Sequence, residues 1–518
     1  MTAKTLMVQG TASHVGKSVL VAALCRIFVQ DGYRVAPFKS QNMALNSFVT
    51  KDGGEMGRAQ VVQAEAACID PSVDMNPILL KPTGHASSQV VVLGRPVGNL
   101  SAQQYHTDYA PRALDIIEGA LHRLRSAYDL IVIEGAGSPA EVNLQEREIV
   151  NMRIARMAGA PVLLAADIDK GGALASVVGT LELISSQDRE RVAGVIINKF
   201  RGDLRLFQPA VDFLEEKTGK PVLGVVPYFQ GFRVQEEDTV SEDRGRAEQV
   251  EESGWVEIAV IHLPHISNFT DFDPLEDEPD VKLRYVGRGN RLGNPDLIIL
   301  PGSKNTIEDL AFLNRSGLAA QIIERSRGGT PVIGICGGFQ MLGRELNDPL
   351  HTESAIPRLE GLGLLDTSTT FAPEKVTTQV EAGVAGSGFF LEQASDCRIT
   401  GYEIHMGRTE LGAGVRPAFT VLVRSGEKGF FPDGAVSRDG AVLGTYIHGI
   451  FDGDVFRRHV INTLRVKKGL DPLAANRTLP ALEQRRRDFD KLAAVVRGSL
   501  DMDKIYHLLG LEGPAGGR

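Results

Sequence analysis

The chain lacks any CxxC pair, and its four cysteines (Cys25, Cys68, Cys336, Cys397) are scattered through 518 residues. That removes the usual zinc signature and fits a reducing compartment rather than a disulfide-built fold. It lacks a basic excess: Lys and Arg total 56 against 65 Asp and Glu, for a net charge of −9. A nucleic-acid partner calls for a basic face, so none is expected. No uninterrupted apolar run approaches the ~18 residues of a membrane span. The N-terminus runs straight into a strand pattern, with neither a charged n-region nor an apolar h-region. A cytoplasmic location without a membrane partner is therefore expected. What remains is 43% hydrophobic and 23% charged residues, a globular composition with length for two or three domains, each with its own core.

The organising stretch is Gly10-Thr11-Ala12-Ser13-His14-Val15-Gly16-Lys17-Ser18. It follows the apolar run Leu6-Met7-Val8 and precedes a helical pattern, Val19 to Phe28. Strand, glycine loop, Lys-Ser and helix form the layout of a phosphate-binding loop. Free N–H groups at the helix start converge on one point, where the helix dipole adds positive potential. Gly10, Thr11 and Gly16 shape the loop, Lys17 reaches the β- and γ-phosphates, and the Ser18 hydroxyl can ligate Mg²⁺. The spacing departs by one residue from GxxxxGK[ST], with Thr11 where the first glycine is expected.

From residue 1 to 235, apolar strands alternate with helical patterns, which implies a mainly parallel sheet covered on both faces. Ligands then sit at the carboxyl ends of the strands. The strand Leu130–Glu134 delivers Glu134 there, ahead of the small-residue turn Gly135-Ala136-Gly137-Ser138, where an acid can hold Mg²⁺. The polar stretch Lys39 to Ser47 follows another strand, and Lys39 suits an anionic substrate or developing charge. Glu55 reads equally as a second Mg²⁺ carboxylate or as a solvated loop acid. Asn198-Lys199-Phe200-Arg201-Gly202-Asp203 resembles base-recognition loops of nucleotide enzymes.

Residues 236–255 are polar and acidic and read as a linker. A second strand series, residues 256–455, contains Val256–Leu263, Leu297–Leu300, Pro331–Cys336, Ala418–Val423 and Val442–Ile447. In it, Ile335-Cys336-Gly337-Gly338-Phe339-Gln340 has the form of a nucleophile elbow: a strand ends at the thiol, glycines follow, and a helix begins. A lone cysteine is ordinarily a small core residue; the elbow points to chemistry. Gly337 and Gly302 can offer N–H groups to an oxyanion. His448, also at a strand end, is the base, with His405 as its rival or as a structural or gating residue. Residues 456–518 read as a helical tail, including the charged segment Gln484 to Asp490, a solvated face.

The offset phosphate loop resembles that of dethiobiotin synthetase and its relatives, which use ATP to activate a carboxylate, and whose EGAG-turn Glu holds Mg²⁺. The Cys336 segment resembles the glutaminase signature of class I (triad) glutamine amidotransferases. That resemblance implies Cys336 as nucleophile, His448 as base and Gln340 as a residue holding L-glutamine. The usual His-x-Glu is absent: His448-Gly449-Ile450 stands there, leaving Glu403, Asp452 or a dyad as alternatives. Taken with GTYIHGIF, YEIHMG, LPGSKNT, FKSQNMALNS and EGAGSPAEVNL, the chain resembles the cobyric acid synthase family from the phosphate loop to about residue 455. The resemblance implies two doubly wound α/β domains, the second flavodoxin-like. It also implies ATP- and Mg²⁺-dependent amidation of the b, d, e and g carboxylates of adenosylcobyrinate a,c-diamide. QNMALNS and SPAEVNL separate it from cobyrinate a,c-diamide synthase, the nearest alternative. A ParA/MinD-like switch carries an extra lysine at the loop start, where this chain has Val8-Gln9-Gly10-Thr11.

Overall fold

A computed structural model describes residues 2–84, 87–101, 104–105, 110–143, 148–229, 254–474 and 481–513. Most of the expected linker lies outside them. The chain forms two compact units. The first comprises Met1–Ala44, Met56–Gln235 and Gln484–Arg518; the second comprises Leu45–Glu55 and Glu236–Glu483. This division differs from the one expected at two places. The stretch Leu45–Glu55 belongs to the second unit, and the tail splits at Gln484.

The first unit is built on a six-stranded parallel sheet. Its order is Val222–Pro227, Val192–Phe200, Val162–Asp167, Lys4–Gly10, Leu130–Glu134, Val35–Phe38. Register places Val8 beside Glu134 and Gly10 beside Ala165, so the phosphate loop and Glu134 emerge from one edge. The helix Lys17–Gln30 is apolar nearly all round because it is covered nearly all round. Leu20, Leu24 and Phe28 share a core with Leu6 and Val8, and also with Leu492, Val496 and Tyr506 of the tail helices Ala481–Ser499 and Met502–Leu509. Arg497 pairs with Asp31 at 2.9 Å on the same seam. The tail is thus a core layer, and its Asp490 and Arg497 pair with Arg26 and Asp31 along the helix it covers.

The second unit has a seven-stranded sheet whose parallel part runs Val281–Val286, Val256–Ile261, Leu297–Leu300, Val332–Ile335, Val442–Thr445. Two short antiparallel strands, Ala435–Ser437 and Val415–Arg416, complete its edge. The expected strand at Ala418–Val423 forms as Phe419–Arg424 but belongs to a separate, mainly antiparallel sheet. That sheet is dominated by the hairpin of Thr367–Val384 and Arg398–Leu411. Helix Asp454–Lys467 packs Phe456, Val460 and Leu464 into this unit's core. Among the described residues, no helix is long and apolar enough to cross a membrane.

Candidate active site

In the first unit, side chains gather on Glu134, which is 1% exposed. Ser18 Oγ donates to its Oε1 at 2.9 Å and Lys39 Nζ to the same oxygen at 3.0 Å. Gln63 Nε2 donates to Oε2, and Gln60 Nε2 does so at 3.4 Å. Burial alone would push the carboxyl pKa up; Lys39, Gln63 and Ser18 overcome it and hold the group below the usual range. Lys17 Nζ is fixed by the carbonyls of Ala12, at 2.9 Å, and Gly137, at 3.1 Å. The loop bends at Gly16, where φ is +94° and any Cβ would lie 2.2 Å from Asn198 Nδ2. Asn198 Nδ2 and Lys199 Nζ donate to the carbonyls of Val15 and His14, so the Asn-Lys pair braces the loop.

Ser18 and Lys39 therefore meet on Glu134, and Lys17 reaches the turn that follows it, at Gly137 O. Glu55 is wholly buried and forms an ion pair with Lys375 within the second unit. Gln60 and Gln63 were missed. They lie three apart on the helix Arg58–Ala66, a spacing that places both on one face, and that QxxQ was the available signal. A hydroxyl and a carboxylate are hard oxygen donors that fit Mg²⁺. No group of three or more His, Cys, Asp or Glu with metal-site geometry occurs among the described residues.

In the second unit, Cys336 follows the strand Val332–Ile335 with φ 52° and ψ −109°, a sparsely populated conformation for a residue with a side chain. Helix Gly337–Leu342 starts immediately after it. His448 lies 1% exposed on the short strand Ile447–His448, and its Nδ1 is 2.7 Å from Asp271 Oδ2. The other oxygen of Asp271 accepts the N–H of Gly449 at 2.9 Å. Burial would lower the imidazole pKa; the Asp271 carboxylate and a hydrogen bond with Cys336 outweigh it and push it up to about 10. A thiol beside an imidazole that is itself held by a buried carboxylate is the layout of a nucleophile with its base and orienting acid.

The third position is thus filled from elsewhere in the chain. Glu403 pairs with Arg424 at 3.1 Å, and the Asp452 N–H donates to Gly449 O at 2.9 Å. Asp271 sits in the 3₁₀ turn Phe269–Phe272, after Asn268 at φ 53°, and its only sequence signal was an acid in a short polar loop following a strand. A Cβ on Gly302 would lie 3.1 Å from His448 Cε1, and one on Gly337 would lie 2.9 Å from the N of Ser303. Gln340 is held at both ends: its Oε1 accepts from Thr306 Oγ1 at 3.1 Å, and its Nε2 donates to Tyr446 at 3.2 Å. His405 stacks on Tyr446, centroids 3.8 Å apart, and burial pulls its pKa down to about 4. The lowered pKa keeps its ring neutral, with Nδ1 2.9 Å from the carbonyl of Gly407.

Comparison with known proteins agrees with both halves. The CobQ/CobB/MinD/ParA nucleotide binding domain family matches residues 6–240, and the CobB/CobQ-like glutamine amidotransferase domain family matches 257–456. A cobyric acid synthase of Pelotomaculum thermopropionicum is 58% identical, with 99% of this chain and 98% of that one covered. That of Moorella thermoacetica is 56% identical over 99% and 98%, and that of Sorangium cellulosum 53% identical over 99% and 100%. With both domain types present, and with identity above one half along essentially the full length of these relatives, the chain belongs to the cobyric acid synthase family of glutamine-dependent ligases.

Proposed function

We propose that this protein converts the b, d, e and g carboxylates of adenosylcobyrinate a,c-diamide to amides, using ATP and ammonia from L-glutamine. The observation that carries this reading is a thiol–imidazole–carboxylate cluster in one unit of a chain whose other unit carries a phosphate loop facing a buried acid. In the first unit a substrate carboxylate attacks the γ-phosphorus of ATP, ADP leaves, and an acyl phosphate forms. Lys17, aimed by its two carbonyl contacts, and Lys39 meet the charge on the transferring group. Gly10, Thr11 and Gly16 shape the cradle. Ser18 and Glu134 would hold Mg²⁺, which neutralises phosphate charge when bound.

In the second unit Cys336 attacks the side-chain amide of glutamine. The N–H groups of Gly337 and Gly302 receive the oxyanion, and Gln340 forms the wall that holds the substrate. Protonated His448 gives its proton to the departing ammonia, then takes one from the water that cleaves the glutamyl thioester. Asp271 fixes the ring so that Nε2 faces the sulfur. Ammonia attacks the acyl phosphate and inorganic phosphate leaves. Water competes with ammonia for that intermediate, which is a reason to place source and consumer on one chain. The four cysteines are all free thiols, which supports a reducing, cytoplasmic setting.

The test is a mass-spectrometric time course with the diamide corrinoid, ATP and glutamine. Each amidation exchanges OH for NH₂, so the expected record is a ladder of products each lighter by about one dalton. Consumption instead of cobyrinate with its a and c carboxylates free, with the diamide left untouched, would assign the chain to the a,c-diamide reaction.

Replacing Asp271 with asparagine is expected to lower kcat for glutamine hydrolysis by about 10²- to 10⁴-fold, because the amide can stabilise the wrong tautomer and no longer favours the imidazolium. The carboxylate raises the His448 pKa, so its loss must lower it. NMR titration of the His448 ring should show its midpoint moved down; an unmoved midpoint would deny Asp271 this part.

A further inference from the structure

The motif LPGSKNT, residues 300–306, does more than supply the N–H of Gly302. Beyond Gly302 it runs along the start of the nucleophile helix, where a Cβ on Gly337 would lie 2.9 Å from the N of Ser303 and 3.1 Å from Thr306 Oγ1. Thr306 opens helix Thr306–Ser316, and its hydroxyl is the group that donates to Gln340 Oε1. Its N–H donates to Glu353 Oε2 at 2.9 Å. A single residue, Thr306, therefore separates a carboxylate from the Gln340 wall of the thiol site, and all of these residues belong to the second unit.

The loop that carries Glu353 is built to hold it there. Asp348, wholly buried, accepts the N–H groups of Thr352 at 2.7 Å, Glu353 at 2.8 Å and Ser354 at 2.9 Å. Ser354 Oγ donates to Glu308 Oε1 at 3.2 Å, which ties the loop to the helix Thr306–Ser316. A side chain whose backbone is fixed in this way meets a ligand preorganised. Glu353 is half-buried, and desolvation raises its carboxyl pKa against the pull of Lys304 and Thr306. The acid is thus short of positive charge. Other acids around the elbow are already committed: Asp271 to His448, Asp433 to Thr445 and the Tyr446 N–H, Asp309 to His265 and Ser303, and Glu403 to Arg424.

We infer that Glu353 is a specificity-determining residue of the glutaminase reaction, its carboxylate receiving the α-ammonium of L-glutamine while the side-chain amide lies at Cys336. Glutamine carries a cation at the end away from the reacting amide, and a charge-assisted hydrogen bond from that cation to a fixed acid is of the stronger kind. Amides without the ammonium leave the acid unanswered and are rejected. His265 and Lys304 lie in the field of the same acid, so the α-carboxylate beside the ammonium is not repelled. The inference deepens the proposed glutaminase reaction and rests on it.

The experiment uses the full-length enzyme and measures ammonia release from L-glutamine and from glutaramate, the same side-chain amide without the α-amino group. The wild type is expected to favour L-glutamine in kcat/KM by about 10- to 100-fold. Glu353→Gln keeps an oxygen to accept the Thr306 N–H, so the helix start stays capped and the melting temperature should match the wild type. In that variant KM for L-glutamine should rise by about 10- to 100-fold with kcat within about twofold, while the constants for glutaramate stay as they were. A purely structural role would move both substrates together. A wild type that uses both amides equally, or a Glu353→Gln enzyme in which both change alike or neither changes, would overturn the inference. The glutaminase reading itself fails on a separate readout, a wild-type enzyme that releases no ammonia from glutamine.

Discussion

Cys336→Ala is expected to lose glutamine-dependent amidation by more than about 10³-fold while amidation from added ammonia survives. The sulfur is the only heavy atom removed, and it lies at the elbow beside His448. A buried Cys-to-Ala change at such a site leaves little cavity, so a folding defect should not confuse the result. Without the thiolate no glutamyl thioester can form, and the chain is left with an acyl phosphate and no internal source of nitrogen. Supplying ammonia at alkaline pH replaces the missing product of the second unit. Both donors should therefore be measured on one preparation, with corrinoid amides followed by mass. Equal loss of both activities would mean that the two halves do not divide the reaction as proposed.

Lys17→Ala should give the complementary pattern. The ammonium is held over the loop by Ala12 O and Gly137 O, a position that suits a phosphate. Removing a preorganised charge from a transferring phosphoryl group costs on the order of 10²- to 10³-fold in kcat. ATP-dependent amidation should fall by about that much with either nitrogen donor. Basal glutamine hydrolysis should remain, because no residue of the thiol site belongs to the phosphate-loop unit. Unchanged ATP-dependent turnover would remove the loop from the mechanism.

The two variants also separate the roles of the two lysines near Glu134. Lys39 neutralises the acid directly at 3.0 Å, whereas Lys17 donates to the carbonyls of Ala12 and Gly137. Loss of Lys39 would disturb a buried carboxylate and the fold around it, since a buried charge left without its partner is costly. Lys17 is therefore the cleaner probe of phosphate chemistry.

Both reactive segments were legible in the sequence because each is local. A strand, a glycine turn and a helix start are encoded by contiguous residues, and their backbone geometry follows from that order, as the φ angles at Gly16 and Cys336 bear out. The alternation of apolar runs likewise fixed the parallel sheets, since strands covered on both faces must be apolar throughout. What only the tertiary structure decided is how buried charge and polarity are satisfied. Asp271 reaches His448 across 177 positions, where the sequence offered Glu403 and Asp452; Glu55 finds Lys375 across 320. The C-terminal helices turn out to cover the first sheet, because the apolar stripe of Leu492 and Val496 gains more from that core than from solvent. A carboxylate carries no periodicity that names its partner: the cost of burying it is met by whichever cation or donor the assembled fold brings within hydrogen-bonding distance.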